Sequence, residues 1–188
     1  VCPSDLSGIL GIDPGSNATG FGVVDYSGGQ LAHIAHGVIR PTPSAQTSER
    51  LAVIHREILK IMDEFAPQAC AIEQVFVAVN VRSALILGQA RGVALAALGS
   101  GALPVHELSA REVKKALVGT GRASKAQVQA MVTRLLDLSK FPPVDASDAL
   151  AIAICQAHAG KLASLGVRSS RHRRRPRAQS VLALRTPQ

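Results

Sequence analysis

The stretch Gly8-Ile9-Leu10-Gly11-Ile12-Asp13-Pro14-Gly15 constrains this chain more than any other. It reads as a short apolar strand that runs into a carboxylate and is broken at once, since proline cannot donate to a ladder and glycine turns freely. The Asp13 side chain is left projecting from the end of a sheet. A second strand, Ala69-Cys70-Ala71-Ile72-Glu73-Gln74, ends on an acid in the same way. Asp145 and Asp148 open an alanine-rich helix behind Pro142-Pro143. If a strand-and-helix fold gathers these four, each pair repels by about 4 kcal/mol at ~4 Å and an effective dielectric of roughly 20. Packing has no use for that repulsion, whereas a divalent cation converts it into ligation.

The rest of the pattern predicts such a fold. Residues 8–13, 20–26 and 30–39 read as three successive strands, with Gly15, Gly20 and Gly22 punctuating the first connection and Gly28-Gly29 the second. Leu51, Ile54, Ile58, Ile61 and Phe65 recur at helical spacing over 49–65, and Pro67 closes that helix. A buried strand over 69–74 is followed by a helix over 83–98 in which Gly88 and Gly92, one turn apart, predict a close backbone contact. Then come a strand over 103–106, a helix over 109–117 with a Ser109/Glu112 capping box, and helices over 124–138 and 145–159. Three antiparallel strands followed by alternating helices and strands predict an α/β fold, a mixed sheet with helices on both faces. His33 and His36, three apart on a strand, are expected on opposite faces, and no histidine shows ligand spacing.

Charge divides the chain further. All of the net +8 falls in residues 161–188, which hold Lys161 and seven arginines with no acid. This reads as a disordered basic tail after a domain over 1–160 that nets zero. Within the domain, Arg82, Arg91, Arg111, Lys114, Lys115, Arg122 and Lys125 face only Glu107 and Glu112, while residues 1–81 are acidic. That split suits a polyanion held beside a metal-loaded pocket. Cys2, Cys70 and Cys155 form no CxxC, which argues against structural zinc and favours a reducing, cytoplasmic setting. No apolar run approaches the ~20 residues of a membrane span, so no membrane partner is expected.

Each carboxylate alone has an ordinary explanation. Asp-Pro-Gly is a common turn, Glu73 fits an edge strand or a salt bridge, and two acids three apart at a helix start are usual caps. Their order carries more: strand acid, strand acid, helical pair. With Gly11-Ile-Asp-Pro-Gly-Ser16, Thr19-Gly20, Ile72-Glu-Gln-Val-Phe76, Gly88-Gln-Ala-Arg-Gly92 and Asp145-Ala-Ser-Asp-Ala-Leu-Ala151, the chain resembles the RuvC family of Holliday junction resolvases over residues 8 to about 160.

The resemblance implies an RNase H-like fold and a crossover junction endodeoxyribonuclease active in recombination and repair. It places the catalytic and metal-binding carboxylates on Asp13, Glu73, Asp145 and Asp148. It implies two Mg²⁺ per site, with Mn²⁺ able to substitute, and paired nicks leaving 5′-phosphate and 3′-hydroxyl ends. It also implies four-way junction DNA, a second copy of the chain and the RuvA-RuvB branch-migration complex as partners. Phe76 matches the base-contacting aromatic, and Lys114 and Lys125 match basic positions near the phosphate path. Arg82, Arg111, Lys115 and Arg122 are read as general backbone contacts. Family members often carry Lys where this chain has Val79, which removes one phosphate contact. The Gly88/Gly92 helix face is the expected interface between copies, with helix-on-sheet packing as the alternative. Three rivals remain at this level: an actin-like ATP-binding domain, a junction binder with a dead site, and a same-fold nuclease acting on RNA or on other branched DNA.

Overall fold

The structure, a computed structural model, describes residues 8–74 and 80–164. Phe76, Val79 and everything after Ser164, hence nearly all of the basic tail, lie outside them. The order is β1 (Ile9–Asp13), β2 (Thr19–Ser27), β3 (Gln30–Ile39), α1 (Thr47–Phe65), β4 (Ala69–Gln74), α2 (Val81–Ser100), β5 (Val105–Ser109), α3 (Ala110–Val118), α4 (Lys125–Leu135) and α5 (Val144–Ser164). The sheet runs β3-β2-β1-β4-β5, antiparallel on the β3-β2-β1 side and parallel across β1-β4-β5. This is the mixed sheet the sequence predicts.

Period-two alternation assigns each strand residue a side. Ile9, Val24 and Ala71 pack with α3, α4 and α5 in one core cluster. Leu10, Ile12, Val23, Cys70 and Ile72 pack with α1 and α2 in the other. Both faces of the sheet are therefore covered, and the central strands are apolar on both sides.

Gly11 and Gly22 face each other across the β1–β2 ladder, and Gly20 faces Asp13. A Cβ at Gly11 would run into the Ala149 carbonyl oxygen and come within 2.7 Å of Ala153 N; one at Gly22 would lie 2.7 Å from Leu150 Cδ2. At Gly20 it would run into the Asp145 carbonyl oxygen. Gly20 and Gly22 are thus not loop punctuation as the sequence suggested. They lie inside β2, and with Gly11 they form a trough for the slim face of α5, whose Ala146, Ala149, Ala153 and Ala157 are wholly buried.

Three further expectations are corrected. Val23 pairs with Ala35 but Val24 pairs with His33, so Ile34 is an extra residue bulged out of β3. The bulge returns His36 to the face of His33, and their ring nitrogens lie 2.8 Å apart. Burial, then His36, holds His33 below its ordinary pKa. The last strand sits two to three residues later than predicted. Pro104 only lends its carbonyl to Cys70 N–H (2.9 Å), and pairing starts at Val105. Finally, α4 stops at Leu135, because Asp137 turns left-handed (φ 49°) and Leu138 N–H reaches back to the Thr133 carbonyl (2.9 Å). Leu138 still packs on the core, which is why its helical spacing misled.

By length and composition α2 is long and apolar enough to cross a membrane, contrary to the expectation of no such run. Here Ala90, Ala94, Ala97 and Leu98 bury one side of it in the α1–α2 core. Among the described residues a Cβ at Gly88 or Gly92 would meet nothing within 4 Å, so the close contact predicted for them is not made there.

Candidate active site

Asp13 shares a face with Ile9 and Gly11, and Glu73 shares one with Ala69 and Ala71. Both are the α5 face. Since β1 and β4 are parallel neighbours with Ile12 beside Ile72, Asp13 and Glu73 stand side by side at adjacent strand ends. Above them α5 delivers Asp148 into the same cleft, of about 160 Å³. Lys114 of α3 and Lys125 of α4 form its basic rim, and Val113, Val128, Ala151 and Ile152 its apolar wall.

That wall explains the electrostatics. Burial first, then the charges of Glu73 and Asp148, push Asp13 up to about 8. Burial likewise raises Glu73, partly offset by its hydrogen bond with Asp13. Burial and crowding of the two hydrogen-bonded carboxyls favour a proton shared between them. Lys125 Nζ donates to Asp148 Oδ2 at 2.9 Å, and this bond raises the lysine's pKa.

Asp145 is placed differently. α5 opens at Val144, so Asp145 is not its cap, and Oδ2 of Asp145 faces Arg40 Nη2 at 3.9 Å. The structure thus gathers Asp13, Glu73 and Asp148 and pairs Asp145 with an arginine. Among the described residues, no three acidic, histidine or cysteine side chains already stand as a metal-ligand set. The donor chemistry nevertheless fits a hard divalent cation: oxygen-only, with one carboxyl kept protonated by crowding and one neutralised by Lys125.

Of the other expected DNA-contacting residues, Arg82, Arg111, Lys115 and Arg122 are exposed on α2, α3 and the loop before α4. Arg91, one of the bases that the sequence assigns to this surface, is turned inward and paired with Glu107. Sequence reading also missed Arg50 of α1, which ties down the loop after Asp13. Its Nη2 donates to the Ser16 carbonyl (2.6 Å) and to Asn17 Oδ1 (2.5 Å). A lone arginine on the flank of an amphipathic helix is the only local signal for such a clamp.

Acids at the ends of the central strands of a β3-β2-β1-β4-β5 sheet, beneath the opening of a helix and beside lysines, define a nuclease of RNase H-like fold. Comparison with known proteins narrows this. A family model for crossover junction endodeoxyribonuclease RuvC matches residues 9–156. The RuvC of Burkholderia multivorans is 58% identical over 159 residues, covering 84% of this chain and 88% of that protein. Thermus thermophilus RuvC, solved in complex with a Holliday junction substrate, superposes with a TM-score of 0.77 at 34% identity, covering 86% of this chain and 97% of that one. The yeast mitochondrial Holliday junction resolvase Ydc2 shares the fold, with a TM-score of 0.66 at 12% identity. The chain belongs to the RuvC family and is an endonuclease that resolves Holliday junctions. The family is one of metal-dependent nucleases.

Proposed function

We propose that this chain resolves four-way junctions by two symmetric nicks, each a hydrolysis of a DNA phosphodiester that leaves a 5′-phosphate and a 3′-hydroxyl. The observation that supports this best is the side-by-side placement of Asp13 and Glu73 beneath Asp148, with Lys114 and Lys125 on the rim. Asp13, Glu73, Asp145 and Asp148 would hold two Mg²⁺ ions, with Mn²⁺ as a substitute. When bound, the metal supplies a nucleophile at neutral pH and charge neutralisation at the leaving oxygen. The chain's own residues do the rest. Lys114 and Lys125 draw the phosphate to the carboxylates, and Arg82, Arg111, Lys115 and Arg122 extend that attraction along the backbone. The apolar wall keeps water from screening these charges.

Asp145→Asn tests the reading. The variant should bind a synthetic junction at low salt as the parent does while Mg²⁺-dependent nicking falls roughly 10²–10³-fold, the scale of losing one charge-stabilising group. Undiminished nicking would refute the carboxylate assignment.

Two symmetric cuts call for a two-fold dimer. The face of α2 that the described residues leave exposed suits it: Val81 and Leu85 are 70% and 65% exposed, and Gly88 and Gly92 leave room for a second backbone. Leu85→Glu should yield a monomer in sedimentation that still folds but no longer makes paired cuts. A variant that remains dimeric would place the interface elsewhere. The RuvA-RuvB complex is the partner implied for the same junction. Cys70 and Cys155, both buried and neither in a disulfide, fit the reducing, cytoplasmic setting expected of this chain.

A further inference from the structure

Arg91 projects from the α1–α2 side of the sheet, opposite the carboxylate cleft. Its Nε donates to the backbone carbonyl of Glu73 at 3.0 Å, and its Nη2 pairs with the Glu107 carboxylate on β5. The side chain is only 19% exposed and lines no part of the cleft. The contact falls at a critical level of the sheet. The last register pair of the β1–β4 ladder is Ile12 with Ile72, so Glu73 stands one residue past it, beside Asp13, the last residue of β1. On its outer side β4 pairs with β5 at this level, Glu73 beside Leu108 and Gln74 beside Ser109.

A carboxylate one residue beyond a ladder's end inherits any sway of that backbone. A shift of about 1 Å at a reacting centre costs roughly 10²-fold in rate. A guanidinium suits the task of preventing it, because its planar fork makes two bonds in fixed relative directions. We propose that Arg91 is a positioning residue for the cleavage reaction: braced by Glu107, it clamps the Glu73 carbonyl from behind the sheet and so fixes where the Glu73 carboxylate stands. Arg91 stands outside the lining of the carboxylate cleft. It acts through the backbone. The inference rests on the proposed catalytic role of Glu73.

The experiment compares Arg91→Met, Arg91→Lys, Glu73→Gln and the core control Ile58→Val on a synthetic four-way junction in Mg²⁺, reading kcat, KM and the thermal midpoint for each. Arg91→Met is expected to lower kcat roughly 10²-fold with KM for the junction unchanged. Arg91→Lys, which keeps one donor, should recover part of the loss. Ile58→Val, destabilised in a remote core, should keep its kcat. If Arg91→Met cleaves at the parental rate, or loses activity only through KM, or if Ile58→Val loses as much at equal thermal midpoint, the clamp is refuted. Glu73→Gln separates the two claims. Should it cleave normally, the reading of Glu73 fails and the inference with it; should it be inactive while Arg91→Met is not slowed, only Arg91 loses its role.

Discussion

Asp13→Asn should abolish junction cleavage and, in the absence of divalent ions, make the protein more stable. Both effects come from the crowding that pushes Asp13 up to about 8, with burial as the leading cause and the Glu73 and Asp148 charges next. The unfolded chain releases this proton near the ordinary value of 3.8, whereas the folded chain retains it until about 8. Between those limits the folded state binds more protons, so stability falls as pH rises. Any advantage from the shared proton is complete below the lower limit and gone above the upper one. Asparagine cannot ionise, so the variant escapes that slope.

In chelator at pH 8 the variant should melt higher than the parent by roughly 4–8 °C, on a gain of about 2 kcal/mol in a domain of this size. At pH 4 the two should converge. Saturating Mg²⁺ should reverse the order, since a ligand that binds only the folded state stabilises it. Cleavage in Mg²⁺ should meanwhile fall by roughly 10³-fold, the scale of losing a group that acts on developing charge. Thermal melts at both pH values, with and without Mg²⁺, beside a junction-cleavage time course, check all of this. A variant no more stable than the parent at pH 8 in chelator would mean that these carboxylates do not strain the fold.

The sequence showed the strand acids because their cause is local. Pro14 and Gly15 stop β1 at Asp13, whereas the shared face of Asp13 and Glu73 follows from the β1–β4 register. The Ser109/Glu112 box was legible for the same reason and forms as expected, with Ser109 N–H donating to Glu112 Oε2 at 2.9 Å and Glu112 N–H donating to Ser109 Oγ at 3.2 Å. Long-range demands were not legible. Nothing near Gly20 announces that Asp145, 125 positions on, lies against it. The His33–His36 contact depends on an extra residue that only pairing with β2 reveals. Nothing local points from Arg40 to Asp145, and Arg91 reads as one of a basic surface's charges until the sheet brings Glu73 and Glu107 within its reach. Periodicity also overran at α4, because Leu138 is wanted by the core whether or not it is helical.

Gly20→Ala should be far costlier than its one added methyl suggests. Gly20 sits opposite Asp13 in the ladder, and the new Cβ would run into the Asp145 carbonyl while standing 3.1 Å from Ala146 N. These are backbone atoms, so no side chain can swing aside and the first turn of α5 has to lift. Overpacking of this kind costs about 3 kcal/mol, a fall of roughly 6–12 °C in thermal midpoint for a chain of this length. The lifted turn carries Asp145 and Asp148, so cleavage should also fall roughly 10²-fold even where the variant is fully folded, by misplacement of its acids. Gly99→Ala is the control. Among the described residues a Cβ there meets nothing within 4 Å, and alanine should stabilise the helix by about 0.5 kcal/mol. Melting curves and single-turnover cleavage of the two variants separate the causes. A Gly20→Ala protein that melts and cuts like the parent would show that α5 does not rest on β2 at this height, and the glycine trough would lose its place in building the site.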